Sequence, residues 1–259
     1  MAIFSRGKAQ KIVNELGGGV TASDILAIAE VESGGRKDLP DGRPQILFEA
    51  QWFHNFTNGQ YDQSHPNISS PTWNKSLYKG GAREYDRMAE AVALNETAAL
   101  KSASWGLFQI MGFNHKVVGF PTVQMFVEAI KDDDDADMAA FIGFVRNNPV
   151  MLKALRNHDD RTFALLYNGP GQVDYYADKI SAARAHYVTS TEAAPSSATL
   201  RRGMSGRDVM ALQLALGFDP VDGVFGPKTE AAVKAIQSER GLEPDGFVGP
   251  LTKAALGLT

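Results

Sequence analysis

The stretch TASDILAIAEVESGG, residues 21–35, decides how the larger part of this chain folds. Thr21 followed three residues later by Asp24 has the form of a capping box, so a helix starts here. Gly34 and Gly35 supply its stop, because glycine tolerates the left-handed conformation that ends helices. At 100° per residue from Ile25, Ile28 falls at about 300°, Ala29 at about 40° and Glu32 at about 340°. Glu32 therefore sits in the middle of an apolar stripe, and Glu30, at about 140°, on the opposite side. An ionised carboxylate facing a core is costly unless it is paired or its pKa rises. Two roles are open for Glu32: a carboxylic acid kept neutral for general-acid work, or the buried partner of an arginine. Glu30 reads as a solvated surface charge.

Outward from this helix, apolar spacing predicts further helices over 81–100, 122–131, 136–146, 149–156, 160–168 and 173–187, with the first covering 23–33. One stretch differs. In PDGRPQILFEAQWF, residues 40–53, an Asp-Gly turn precedes Ile46-Leu47-Phe48, which predicts a short strand or hairpin. Residues 1–187 thus read as mainly α with a small extended element. The acidic run DDDDAD, residues 132–137, predicts a helix entrance, because carboxylates sit well against the positive end of a helix dipole. Adjacent carboxylates do not converge on a metal as spaced ligands would.

The clearest break is VTSTEAAPSSAT, residues 188–199, whose Ser, Thr, Ala and Pro predict a linker. Beyond it, residues 200–259 contain an internal repeat: DGVFGPKTEAAV, 222–233, recurs as DGFVGPLTKAAL, 245–256. Each copy reads as a tight Asp-Gly turn, a glycine, a proline at the first helical position and an apolar-periodic helix. SGRDVMALQLAL before it places Val209, Leu212 and Leu216 at helical spacing, so a small three-helix domain is expected. Most of the repeated residues read as the means of folding that bundle.

Composition narrows the function. The chain has 259 residues, enough for two domains, with 44% hydrophobic and 22% charged residues and a net charge of −4. That balance argues against a nucleic-acid-binding face. No apolar run approaches the roughly 20 residues that span a bilayer, so no stable membrane association is expected. The first residues, MAIFSRGKAQKIVNELGGG, lack the apolar core and cleavage pattern of a secretory signal peptide. Cysteine is absent, which excludes a disulfide framework. A monomer without cofactor or metal is the expectation.

Two more stretches carry polar groups in apolar settings. SASWGLFQIMG, residues 102–112, places Gly106 between aromatic residues and Gln109 inside an apolar run. LLYNGPG, residues 165–171, ends a helix in Tyr167-Asn168 and a glycine-rich turn. Glycine lets a ligand approach the backbone closely, and Gln or Asn can bond sugar hydroxyls and amides. In order, these give Glu-Ser after a helix, Ser-x-Gly-Leu-x-Gln, then Tyr-Asn-Gly. That order resembles the lysozyme-like superfamily, especially goose-type lysozymes and soluble lytic transglycosylases. Residues 22–187 resemble more closely the N-acetylmuramidase domain of phage endolysins, on ILAIAEVESGG, GRPQILFEAQWF, SASWGLFQIMG and FALLYNGPGQVDYYADKI. The tail resembles the peptidoglycan-binding domain type 1 family, on LRRGMSGRDVMALQLAL and the two repeat copies.

The resemblance implies a lysozyme-like helical catalytic domain over 1–187, a linker over 188–199 and a wall-binding domain over 200–259. It implies an endolysin that cleaves the β-1,4 bond between N-acetylmuramic acid and N-acetylglucosamine in bacterial peptidoglycan. Glu32 is then the general acid, and Ser104, Gln109, Tyr167 and Asn168 line the glycan cleft. Leu107 and Phe108 read as wall and core. Without a signal peptide, the expectation is accumulation in the host cytoplasm and holin-dependent release to the periplasmic wall. Most such enzymes use a second carboxylate. Glu49, after the Ile46–Phe48 run, is the candidate, with pairing to Arg43 or Arg83 as its other reading. If no second carboxylate acts, the muramyl 6-hydroxyl can attack and leave a 1,6-anhydro product, as in lytic transglycosylases. A zinc amidase would need three converging ligands, yet His54, His65, His115, His158 and His186 form no His-x-x-x-His. A purely wall-binding protein would leave the Glu32 constellation unexplained.

Overall fold

A computed structural model describes residues 4–192, 199–218, 221–256 and 258. The chain divides into two compact units, Met1–Val188 and Thr189–Thr259.

In the first unit, α1 (Arg6–Leu16) packs on α2 (Ala22–Ser33). The predicted cap is present: the Asp24 N–H donates to Thr21 Oγ1 at 3.3 Å, and the Thr21 N–H donates back to Asp24 Oδ2 at 2.7 Å. Gly34 closes the helix in the left-handed conformation. The stripe expected on α2 is wider than its spacing suggested, because every residue from Ala22 to Ala29 is buried. This helix is contacted by α1 and by residues of α8 and α9, so burial there does not follow a single face.

Three short antiparallel strands form one sheet: β1 (Ile46–Phe48), β2 (Ala103–Trp105) and β3 (Ile110–Met111), in that order. Leu47 lies opposite Ser104, and Ser104 opposite Met111. The extended element predicted at Ile46–Phe48 is therefore one edge of a small sheet, and the stretch with the Gly and Gln pattern supplies the other two strands. The remaining helices of the unit are α3 (Ala50–Thr57), α4 (Glu84–Lys101), which packs on β1 and β2, α5 (Val123–Asp132), α6 (Asp134–Arg146), α7 (Pro149–Arg156), α8 (Asp160–Asn168) and α9 (Val173–Glu192). Asp133 caps α6 by accepting the Asp135 N–H, so the acidic run does enter a helix. The core joins Trp105, Phe108, Phe126, Phe141 and Phe163, all nearly inaccessible to solvent. Phe108 and Phe141 stack with ring centroids 4.3 Å apart.

Two polar networks tie the helices together. Asp24, fully buried, accepts from Arg184 of α9, and His158 lies 3.2 Å from its other oxygen. Arg184 also bonds Asp160 at the start of α8. The N-terminus of α2 is thus clamped to α8 and α9. The second network is a buried ion pair, Arg87 Nη1 to Glu84 Oε2 at 2.8 Å, with Glu84 0% and Arg87 3% exposed.

The second unit has its own core of Leu200, Val209, Leu212, Phe225, Val233 and Val248. It holds α10 (Arg207–Ala215), α11 (Pro227–Glu239) and α12 (Pro250–Ala255). The repeat is structural to the atom. Gln213 Nε2 bonds Asp222, the Val224 carbonyl and Thr229. Gln237 Nε2 does the same with Asp245, Phe247 and Thr252. The repeated Asp and Thr are therefore engaged in closing the turns. The expected linker begins later than its composition suggested, since α9 continues through Glu192; residues 193–198 lie outside the described residues.

Candidate functional site

Glu32 occupies the last turn of α2, where the clamp on Asp24 and the Gly34 cap set its position. Gln45 fixes the backbone at the end of this helix: its Nε2 donates to the carbonyls of Ser33 at 2.9 Å and Arg36 at 2.8 Å. The Gln45 carbonyl in turn accepts from Gly106 N–H at 2.8 Å. One glutamine thereby joins the end of the Glu32 helix to the β2–β3 turn.

Asn168 Nδ2, at the end of α8, donates to Glu32 Oε1 at 2.9 Å. Among the described residues, no arginine pairs with Glu32, so the structural-partner role left open for it is not the one observed. Burial pushes the Glu32 carboxyl up to about 7, with the Asn168 hydrogen bond opposing the shift. Glu30 is exposed, as expected, and the Tyr187 phenol hydrogen-bonds it.

Glu49 follows β1 and precedes the first turn of α3. Its pairing with Arg43 or Arg83 is not found. Arg43 instead bonds Asp41 at 2.6 Å, and Arg83 donates to the Lys79 carbonyl at 2.7 Å. The phenol of Tyr78 lies 2.8 Å from both Glu49 oxygens. Burial raises the Glu49 carboxyl; the Tyr78 hydrogen bond and the Arg87 charge oppose that, and Glu84 adds to it.

Tyr176 of α9 feels the charge of both carboxylates. Its phenol is pushed up by burial first, then by the charges of Glu32, Tyr175 and Glu49. A single ring thus lies within electrostatic reach of both acids. Nothing in the sequence singled out Tyr78 or Tyr176, because only the tertiary fold brings them here; the pair Tyr175-Tyr176 beside the Tyr-Asn-Gly stretch was the one available signal.

The other expected site residues divide. Asn168 touches Glu32 directly, and its own carbonyl oxygen is buried without a hydrogen-bond partner. Tyr167 lies within reach of the Glu32 charge, but its hydroxyl turns inward to the Phe108 carbonyl at 2.7 Å. Ser104 and Gln109 bond each other at 2.7 Å, and Gln109 Nε2 also holds the Gly106 carbonyl at 2.8 Å. Their polar groups brace the hairpin. Leu107 and Phe108 are buried, as read. Gly106 has a reason other than ligand approach: its φ is 73°, and a Cβ there would collide with the Asp137 carboxylate. Among the described residues, no group of three His, Asp or Glu is placed to hold a metal ion.

Comparison with known proteins shows what the chain is similar to. The crystal structure of Burkholderia AP3 phage endolysin is similar, at 35% identity and a TM-score of 0.63, covering 72% of this chain and 71% of that one. A spore cortex-lytic enzyme of Halalkalibacterium halodurans is 44% identical over 77 residues, 28% of this chain and 23% of that protein. An uncharacterized protein in the bpoA1 3' region of Kitasatospora aureofaciens is 55% identical over 58 residues, 20% of this chain and 49% of that protein. The chain thus spans less than half the length of either of these two curated relatives. A putative peptidoglycan binding domain model matches residues 205–256. The N-acetylmuramidase model matches residues 21–188, the whole span from the Thr21 cap through Glu32, Glu49 and Asn168, and the chain belongs to that family.

Proposed function

We propose that this chain cuts the β-1,4 bond between N-acetylmuramic acid and N-acetylglucosamine in bacterial peptidoglycan, acting as an endolysin. The observation that carries this reading is a pair of partly buried carboxyl groups with different partners, Glu32 bonded by the Asn168 amide and Glu49 by the Tyr78 phenol. Burial pushes Glu32 up to about 7, so it still carries a proton in a large share of molecules near neutral pH. Burial raises the Glu49 carboxyl as well, but there a phenol and the Arg87 charge both oppose the rise and favour the ionised form. Environments that separate two carboxyl groups assign acid and base. Glu32 gives its proton to the glycosidic oxygen as the C1–O bond breaks, and the bonding pair leaves with that oxygen. Positive charge develops at C1 and the ring oxygen. A water attacks C1, its proton passing to Glu49, and solvent then restores both carboxyl groups.

Residues 205–256 would hold the enzyme on its polymer, consistent with the matched binding domain. Host lysis from within, after holin-dependent release to the periplasmic wall, is the setting that fits the phage endolysin similarity. Mass spectrometry of fragments released from purified sacculi tests the reaction. A reducing-end muramic acid is expected. A 1,6-anhydromuramic end would assign the intramolecular route and leave Glu49 without water to activate. A reducing-end glucosamine, or free peptide, would overturn the assignment.

A further inference from the structure

Glu49 is tied into a chain of donors with a fixed direction. Trp73 Nε1 donates to the Tyr78 phenol oxygen at 2.8 Å. An indole N–H can only donate. The phenol therefore accepts from Trp73, and its single proton is left for Glu49, whose two oxygens lie at equal distance. The two rings meet edge to face, with centroids 6.5 Å apart, so the phenol is also held laterally. Both residues lie on the segment between α3 and α4. Its far end is pinned where Glu84 accepts the N–H groups of Lys79 and Gly80. The Phe48 carbonyl, next to Glu49, accepts from Arg87 at 2.9 Å. Carboxylate, phenol and segment are thus anchored to one buried ion pair.

We propose that Tyr78 is a positioning residue for Glu49, gripping its carboxylate by both oxygens, with Trp73 setting the direction of the phenol proton. The proposal rests on the role given to Glu49 above. A carboxylate oxygen has more than one acceptor site, so each keeps capacity for a water facing the sugar. The other groups acting on Glu49 are Arg87 and Glu84 of α4 and Tyr176 of α9. Arg87 favours the charged form and Glu84 opposes it, which leaves Tyr78 as the neutral donor that also sets orientation.

Tyr78→Phe removes the hydroxyl and keeps the ring. With the full-length protein, kcat/KM on soluble glycan strands is measured from about pH 4 to about pH 9 beside the melting temperature. A base must be ionised to act, so activity is lost as pH falls through the Glu49 pKa. Losing a donor raises that pKa, and the acid limb of Tyr78→Phe should move to higher pH. The plateau should fall roughly tenfold, the usual worth of a hydrogen bond to a charged group. Trp73→Phe, at a ring 52% exposed, should shift the limb in the same direction by less, and it carries the test if Tyr78→Phe does not fold. In a Glu49→Gln background, Tyr78→Phe should cost nothing further. An unmoved acid limb in a folded variant, or an equal loss in the Glu49→Gln background, would overturn the proposal. Wild-type activity of Glu49→Gln alone would remove the Glu49 assignment, and the Tyr78 role with it.

Discussion

At the scale of the residue, the Glu32 carboxyl titrates near 7 because burial disfavours its charged form. A general acid must be protonated, so kcat/KM should decline as pH rises through about 7, and that limb should vanish in Glu32→Gln. The amide keeps the shape and a hydrogen-bond acceptor but has no acidic proton to give. Glu32→Gln should therefore lower turnover by roughly two or more orders of magnitude, the usual worth of general-acid catalysis. Glu30→Gln, at the exposed position two residues earlier, should stay within a few-fold of wild type. Lysis rates of permeabilised cells compare the two. Stability follows the same residue with a definite sign. A folded pKa of about 7 against 4.5 unfolded means that the native state binds the proton more tightly. Glu32's contribution is thus full below about 4.5 and is lost as pH rises through about 7. The melting temperature of Glu32→Gln relative to wild type should climb across that window. A flat difference would mean that the carboxyl is not held protonated by burial.

At the scale of the element, the Glu84–Arg87 pair organises the second carboxylate. Glu84 accepts backbone N–H groups from Phe48, Lys79 and Gly80, and Arg87 donates to the carbonyls of Phe48 and Asn67. Removing one partner leaves the other as an uncompensated buried charge, which costs about 3–5 kcal/mol. Arg87→Ala should lower unfolding stability by that order in denaturant titration, and it should loosen Glu49 in the remaining folded protein. None of this network was legible in the sequence, and the reason is physical. The α2 helix announces itself locally, through a cap, apolar spacing and a glycine stop within fifteen residues. Glu32 could be placed because those signals are short-range. The strands β2 and β3 have three and two residues, and the hairpin they form is completed by pairing of β2 with β1, more than fifty residues away. Helix α3 carries no comparable local signal, because AQWFHNFT follows β1 at once, with Glu49 giving no side-chain cap. Tyr78, with Trp73 behind it, meets Glu49 only through such a long-range contact. Gly106 and Gln109 stand out as unusual in the sequence, but what they answer is Asp137 and the hairpin's own backbone.

At the scale of the whole molecule, each unit closes its own apolar core. The first unit's core runs from Phe4 to Ile180, and the second unit's from Leu200 to Val248. Independent cores mean that each unit can fold alone. The place to divide them is set by α9, which continues to Glu192. Its Tyr187 carbonyl accepts from Arg6 of α1 at 3.0 Å. A chain ending at 187 would cut the helix next to that contact, whereas one ending at Glu192 keeps it. Residues 1–192 should therefore melt cooperatively and cleave soluble glycan strands at a rate close to that of the full chain, because Glu32, Glu49 and their partners all lie within them. On intact sacculi the outcome should differ. Tethering a binding unit to the catalytic one raises the local concentration of wall polymer without touching the chemistry, so its loss lowers efficiency on an insoluble substrate alone. The comparison is the ratio of the two rates, sacculi over soluble strands, in the short and full chains. A ratio at least several-fold lower for residues 1–192 is expected. Equal ratios would deny the second unit a part in holding the wall, and a fall on both substrates together would show that it supports the catalytic fold.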